Sequence, residues 1–157
     1  MTAKWCVSRG VVLAAGDGSR LRRVAGTCPK VLLSVRGKPL IYYPIEVMAA
    51  AGINQVAVVV GYSAGEVITA LGDGQPFGIK LDYILNQDYY GGNAVSVSKV
   101  RAWAAGEPFV LCMGDHMIEP AMVRRLLNKF PAVETLCVDF TPTYCHDLHR
   151  TILVPAV

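Results

Sequence analysis

Val11-Val12-Leu13-Ala14-Ala15-Gly16-Asp17-Gly18-Ser19-Arg20-Leu21-Arg22-Arg23-Val24-Ala25-Gly26-Thr27-Cys28-Pro29-Lys30 is the stretch on which the reading of this chain turns. Its first five residues are apolar and partly β-branched, the signature of a short buried strand. The run breaks at Gly16-Asp17-Gly18-Ser19, where two glycines let the backbone take positive φ and approach a ligand closely. Cations follow at Arg20, Arg22, Arg23 and Lys30. From Gly18 through Ile45 there is no Asp or Glu, while six Lys or Arg fall between Arg20 and Lys38. A glycine turn with exposed amides, then cations and no acids, is suited to holding phosphate. A tight strand-to-helix turn with a solvated basic face uses the same residues, so the loop alone leaves both readings open.

Working outward, the 157 residues amount to one domain, long enough to bury a core. Hydrophobic residues make up 53% and charged residues 17%, which predicts strands covered on both faces. The formal charge of +3 is small and its positive residues are concentrated early. That predicts a local anion site and argues against a nucleic-acid surface, which needs a broader basic stripe. Five cysteines, odd in number and without a C-x-x-C pair, suit free thiols in a reducing cytoplasm. The apolar run after Lys4 and Arg9 is too short for a signal-peptide core, and nowhere do about 18 apolar residues run together. A soluble, cytoplasmic protein without membrane insertion is expected.

Strand and helix signals alternate along the chain. Cys6 to Ala15 reads as a first strand. Leu40 to Ala51 carries apolar residues at helical spacing and is closed by Gly52, with Pro44 acceptable only in a first turn. Gln55 to Val60 is a second buried strand, followed by Ser63-x-x-Glu66, a capping box opening a helix to Leu71. Ile79 to Leu85 reads as a third strand and Asn86 to Gly92 as a polar, Tyr-containing loop. Asn93 is placed to cap a helix from Ala94 to Ala104. Pro108 to Met113 is a fourth strand ending in Gly114-Asp115-His116. A helix from Pro120 through Lys129 and a fifth strand from Val133 to Phe140 follow, then a last apolar stretch, Ile152 to Val154. The alternation predicts an α/β fold: a mostly parallel sheet with helices on both faces. Ligands in such sheets lie beyond the carboxyl ends of the strands, which gathers Gly16–Arg20, Asn86–Asn93 and Gly114–His116 on one rim.

Neither of two familiar phosphate loops fits the opening. A dinucleotide fingerprint needs a third glycine where Leu21 stands, and a P-loop needs Gly-Lys-Ser/Thr closing the turn. A third pattern does. Leu13-Ala14-Ala15-Gly16-x-Gly18-Ser19-Arg20-Leu21, then Pro29-Lys30-Val31-Leu32-Leu33, then Gly37-Lys38-Pro39-Leu40-Ile41, resembles the opening of the nucleotidyltransferases that make nucleotide-diphosphate sugars and alcohols. Met113-Gly114-Asp115-His116 is similar to that family's metal-binding strand end. Gly92-Asn93, with Ser96 in the helix that follows, looks most like the branch making CDP-alcohols, inositol-1-phosphate cytidylyltransferases above all. The fold implied is the Rossmann-like fold of the nucleotide-diphospho-sugar transferases.

The implied reaction moves a nucleotidyl group from a nucleoside triphosphate, CTP favoured, to a sugar- or alcohol-phosphate such as inositol-1-phosphate, releasing pyrophosphate. Its attacking oxygen is already anionic, so no general base is required; the site must align two polyanions and neutralise the α-phosphate. The backbone from Gly16 to Ser19, Arg20 and Lys30 are the candidate donors. In the resembling family the matching Arg and Lys meet the triphosphate, which makes Arg20 and Lys30 the catalytic candidates. Leu13, Ala14, Ala15, Gly16, Asp17, Gly18, Ser19, Gln87, Gly92, Asn93 and Asp115 are the candidate nucleotide-binding residues. Asp115 is the candidate ligand of Mg²⁺, which takes one or two carboxylates plus substrate phosphates. His116 suits either a phosphate contact or a surface position.

Residues Cys145-His146-Asp147-Leu148-His149 lack the paired ligands at defined spacing that zinc requires, and read as a polar surface segment. No downstream acid has the context of the family's second metal-binding Asp, Asp139 and Asp147 included. The resemblance therefore predicts a single nucleotidyltransferase-like domain over 1–157 that is incomplete at its C-terminus, with the acceptor part largely missing. A nucleotide-binding remnant without turnover and a transferase of molybdenum-cofactor type remain as alternatives; a homo-oligomer is compatible with either.

Overall fold

The computed structural model describes residues 7–19, 26–128, 135–138 and 150–154, the last two segments by backbone alone. Arg20, the Cys145–His149 cluster, Asp139 and Asp147 lie outside the described residues.

Four parallel strands form the centre: β1 (Arg9–Ala14), β4 (Gln55–Val60), β5 (Lys80–Leu85) and β6 (Phe109–Met113). A small antiparallel pair, β2 (Ser34–Val35) and β3 (Lys38–Pro39), stands apart as its own two-stranded sheet. The six-stranded sheet runs β5-β4-β1-β6-β8-β7, with β8 (Arg150–Val154) antiparallel to both β6 and β7 (Thr135–Val138). This is the expected mostly parallel sheet.

The order follows from chain direction. From β1 the chain steps outward to β4 and β5, through α1 (Tyr42–Ala50) and α2 (Ala64–Leu71). It then returns past β1 to β6 through α3 (Asn93–Ser98) and α4 (Arg101–Ala104). Right-handed crossovers in opposite directions put their helices on opposite faces. Residues Val12, Ala14, Val56, Val58, Val60, Val110 and Cys112 accordingly share one core with α1 and α2, and α5 (Pro120–Asn128), which follows β6, packs on that same face. Their neighbours Val11, Leu13, Ala15, Ala57, Val59, Phe109 and Leu111 form a second core with Val100 and Ala104. The period of two thus buries both faces, which is why the strands read as unbroken apolar runs. Each such Val contributes roughly 1.5–3 kcal/mol relative to exposure.

Three local expectations are corrected. Ser63 makes no side-chain cap: it sits in the left-handed region at φ 48°, and its carbonyl accepts from the amides of Glu66 and Val67. A capping box needs an extended residue there. Asn93 does not cap either; it is the first helical residue, with Gly92 at φ 85° in the cap position. The predicted helix from Ala94 to Ala104 is two short helices. Val95, Val97 and Val100 are stiff at χ1, and the Ser98 hydroxyl donates back to the Val95 carbonyl at 2.7 Å, which bends a helix. Pro44 does fall in the first turn of α1, where its missing N–H is not needed.

Candidate functional site

The strand order reverses between β1 and β6, and in open α/β sheets ligands lie beyond the carboxyl ends of such neighbours. Short backbone contacts fasten the strand ends there. The Gly114 amide donates to the Leu13 carbonyl at 2.8 Å, and the Tyr62 amide to the Ala15 carbonyl at 3.0 Å. Gly61 admits no side chain, since an added Cβ would lie 2.7 Å from the Ala15 oxygen and 2.9 Å from that of Asn86.

The glycine loop begins where β1 leaves the sheet. Leu13, Ala14 and Ala15 are buried and give their side chains to the two cores, so what they supply to the rim is the height of the loop. Gly16 stands exposed with open space where a side chain would be. The Asp17 carboxylate accepts from the Ser19 amide at 3.1 Å, an Asx turn that sets the loop's curvature. Gly18 takes φ +61°, and its Cα faces Lys30 so closely that an added Cβ would be 2.8 Å from the Lys30 Cβ.

Lys30 is presented by a single 3₁₀ turn, Lys30–Leu32, entered through Pro29. Val31 anchors the turn in the core and meets the last residues of the β6 end, where Gly114 leaves room for it. That packing brings Lys30 Nζ into an ion pair with Asp115 Oδ2, both side chains partly exposed. Asp115 Oδ1 lies 4.0 Å from His116 Nε2. The two candidates far apart in sequence therefore share one lip of the sheet.

The third loop hangs from Asn86, which is fully buried. Its amide donates to the Val60 carbonyl at 2.8 Å, its side-chain NH₂ to Ser96 Oγ at 3.0 Å, and its Oδ1 accepts from the Asp88 amide at 3.0 Å. Lys99 and Asp88 tie the same loop to the end of α3 at 2.9 Å. Gln87, Gly92 and Asn93 are all exposed along it. The hydroxyl of Tyr89 donates to that of Tyr90 at 3.1 Å, with ring centroids 4.3 Å apart. That hydrogen bond first, then partial burial and the nearby charges of Tyr90, Asp17 and Tyr62, hold the Tyr89 proton more tightly than usual. The glycine loop and the Asn86 loop start side by side, since the carbonyls of Ala15 and Asn86 both lie against Gly61.

Sequence reasoning missed Asn86 as the anchor. An Asn directly after a strand is an ordinary turn residue, and only its burial and its partner ten residues on distinguish it. Tyr62, which fastens the start of the glycine loop, carried no signal at all.

Among the described residues no group of three or more His, Cys, Asp and Glu is placed to hold a metal ion. A single rim carboxylate joined by substrate phosphates is nevertheless what a magnesium ion held chiefly by its substrate takes from protein, and Asp115 supplies one. No helix among the described residues is long and apolar enough to cross a membrane.

The chain is 41% identical over 110 residues to a glucose-1-phosphate thymidylyltransferase of Streptomyces antibioticus, a match covering 70% of this chain and 31% of that protein. It is 32% identical over 109 residues to an N-acetylmuramate alpha-1-phosphate uridylyltransferase of Neisseria meningitidis serogroup B, covering 68% of this chain and 46% of the relative. The chain therefore spans less than half the length of either relative. Its fold is similar to that of the inositol-1-phosphate CTP transferase from T. maritima, with a TM-score of 0.79 at 21% identity over 95% of this chain and 71% of the other. The expected nucleotidyltransferase fold is the one observed. Residues 10–148 match the family described as MobA-like NTP transferase domain, and the chain belongs to that family.

Proposed function

We propose that this chain holds a magnesium nucleoside triphosphate on the rim above β1 and β6 and transfers its nucleotidyl group to the phosphate of a sugar or alcohol phosphate. The observation that carries the reading is the Lys30–Asp115 contact: a cation and a carboxylate beside a glycine turn, at the switch point of the sheet.

The acceptor's phosphate oxygen forms a bond to the α-phosphorus as the bond from that phosphorus to the β-phosphate oxygen breaks. Pyrophosphate leaves with the electron pair. The nucleophile is anionic from the outset, so the protein's work is alignment and charge neutralisation. Amides of Gly16 to Gly18 bind the outer phosphates, the Ser19 amide being held by the Asp17 carboxylate, with Arg20 assigned beside them, and Lys30 meets the reacting phosphate. Asp115 would hold magnesium together with substrate phosphate oxygens, and the ion would supply charge neutralisation there. Lys30, which faces that carboxylate, is placed to meet phosphate as well. Gln87, Gly92 and Asn93, exposed on the opposing loop, take the nucleoside.

The relatives' names speak of thymidylyl and uridylyl transfer and the structural neighbour's of CTP; a pyrimidine is common to all three. We therefore read the nucleotide as a pyrimidine, with CTP and inositol-1-phosphate as one member of that set. The chain is incubated with Mg²⁺, each of CTP, dTTP, UTP, GTP and ATP, and either glucose-1-phosphate or inositol-1-phosphate, while pyrophosphate release and triphosphate affinity are measured. Release with a pyrimidine triphosphate is expected. Affinity without release identifies a holding function alone, a preference for GTP favours the molybdenum-cofactor type, and failure to bind any triphosphate overturns the proposal.

A further inference from the structure

We propose that the Tyr89–Tyr90 pair is the stacking platform for the nucleotide base, with the open face of the Tyr90 ring as its contact surface. The inference deepens the reading above and rests on it.

Tyr90 is 78% exposed, an unusual place for so much apolar ring area on a loop this firmly held. The loop is not a loose one. Asn86 beneath it is fully buried, and all of its polar side-chain atoms are spent on Ser96 and on the Asp88 amide. Burying a polar network costs desolvation that only complete satisfaction recovers, and the yield here is a fixed position for the residues that follow. Tyr89 packs against the core beneath the rim that includes Leu13 and Ala15, so its ring is pinned from below. Its hydroxyl is bonded to that of Tyr90, and the two rings lie 4.3 Å apart with an interplanar angle of 36°. One ring backs the other and the outer face of the second is open.

Position selects the occupant. The stems of the two loops flank Gly61, whose added Cβ would lie 2.7 Å from the Ala15 oxygen and 2.9 Å from the Asn86 oxygen, so a triphosphate cradled by 16–19 has the Asn86 loop beside it for its nucleoside end. A planar heterocycle attached to a polyanion is the ligand that such a geometry suits, because a π-face stacks on an aromatic ring whichever base it belongs to. Choice among bases is then left to the hydrogen-bonding groups of the same loop, such as the exposed amides of Gln87 and Asn93.

The test separates the base from the phosphates. Affinities for CTP, dTTP and inorganic tripolyphosphate, each with Mg²⁺, are measured calorimetrically for the unaltered chain and for Tyr90→Ala, Tyr90→Phe and Tyr90→Leu. Stacking by one ring predicts that Tyr90→Ala and Tyr90→Leu weaken both nucleotides by about tenfold or more. Tripolyphosphate affinity should hold constant, and Tyr90→Phe should bind as the unaltered chain does. The proposal is overturned if Tyr90→Ala leaves nucleotide affinity intact while tripolyphosphate still binds, or if nucleotide and tripolyphosphate weaken together. Failure of the unaltered chain to bind any of the three overturns the underlying reading as well.

Discussion

Gly18 lies against Lys30 so closely that the two residues cannot both carry a Cβ without one of them moving: the added atom would stand 2.8 Å from the Lys30 Cβ. Gly18 also holds φ +61°, a region where an L side chain costs roughly 1–2 kcal/mol. Gly18→Ala therefore carries two penalties, one in the loop and one on the lysine it supports. Thermal unfolding should show a loss of about 1–3 kcal/mol. Triphosphate affinity should fall as well, because Lys30 is pushed off its turn. Gly16→Ala is the comparison, since its added Cβ meets nothing within 4 Å and its melting temperature should change far less.

Lys30 contributes little to stability and much to the reaction. Its partner Asp115 is shared with solvent, the two side chains being 35% and 21% exposed. Ion pairs of this kind are worth less than about 1 kcal/mol. Lys30→Ala should melt within that margin of the unaltered chain. Its rate of pyrophosphate release should fall by about 10²–10³, the usual result of removing one donor to a charged transition state. Equal loss of stability and activity would show that the lysine is structural.

How much of this was legible beforehand depended on range. The buried strands were visible because both faces are covered: Val56 to Val60 has no polar residue to interrupt it. Lys30 and Asp115 stood out because each follows a break of Pro or Gly in an apolar context, but their contact depends on Val31 packing over Gly114, which no local pattern reports. The failures were at helix ends. Ser63 and Asn93 have the right side chains for capping, yet their backbones were set by glycines nearby, Gly61 crowded between two carbonyls and Gly92 at positive φ. Tertiary fit chose the dihedrals there, and propensity had no vote. The final strand escaped notice as a sheet member because β8 enters antiparallel between β6 and β7, a placement fixed by pairing alone.

Asn86 should prove more costly to lose than either catalytic candidate. Asn86→Ala removes a fully buried amide and strands the Ser96 hydroxyl and the Asp88 N–H, each of which loses its partner. One buried unsatisfied group costs about 1–3 kcal/mol, and Asp88 lies near enough to solvent to recover part of its share. A loss of about 2–3 kcal/mol is expected in denaturant unfolding. Nucleotide affinity should fall with it even at temperatures where the fold is intact, because residues 87 to 93 lose their anchor. Hydrogen exchange of the amides in 87–93 should quicken selectively; uniform quickening across the sheet would mean that Asn86 serves the whole core.

Asp82 sets a pH dependence away from the nucleotide rim. Its Oδ2 accepts from Gln55 Nε2 at 2.6 Å and Trp103 Nε1 at 2.9 Å, and its Oδ1 pairs with Lys80 at 2.9 Å. Burial is the largest single influence and raises its pKa, but the hydrogen bonds from Trp103, Gln55 and Lys80 and the charge of Lys80 together outweigh it, and the net value lies below the ordinary 3.8. The folded chain thus binds this proton less readily than the unfolded one. By linkage, the stabilisation is fully present above 3.8 and drains away as pH falls below that value through the lowered folded pKa. Asp82→Asn should be less stable than the unaltered chain at pH 7, and the gap in melting temperature should narrow below pH 3.8. Most of the lowering comes from donors, two of them neutral, so added salt should leave the gap at pH 7 largely in place. A gap that closed with salt alone would assign the effect to Lys80, whose side chain is 67% exposed, and not to Trp103 and Gln55.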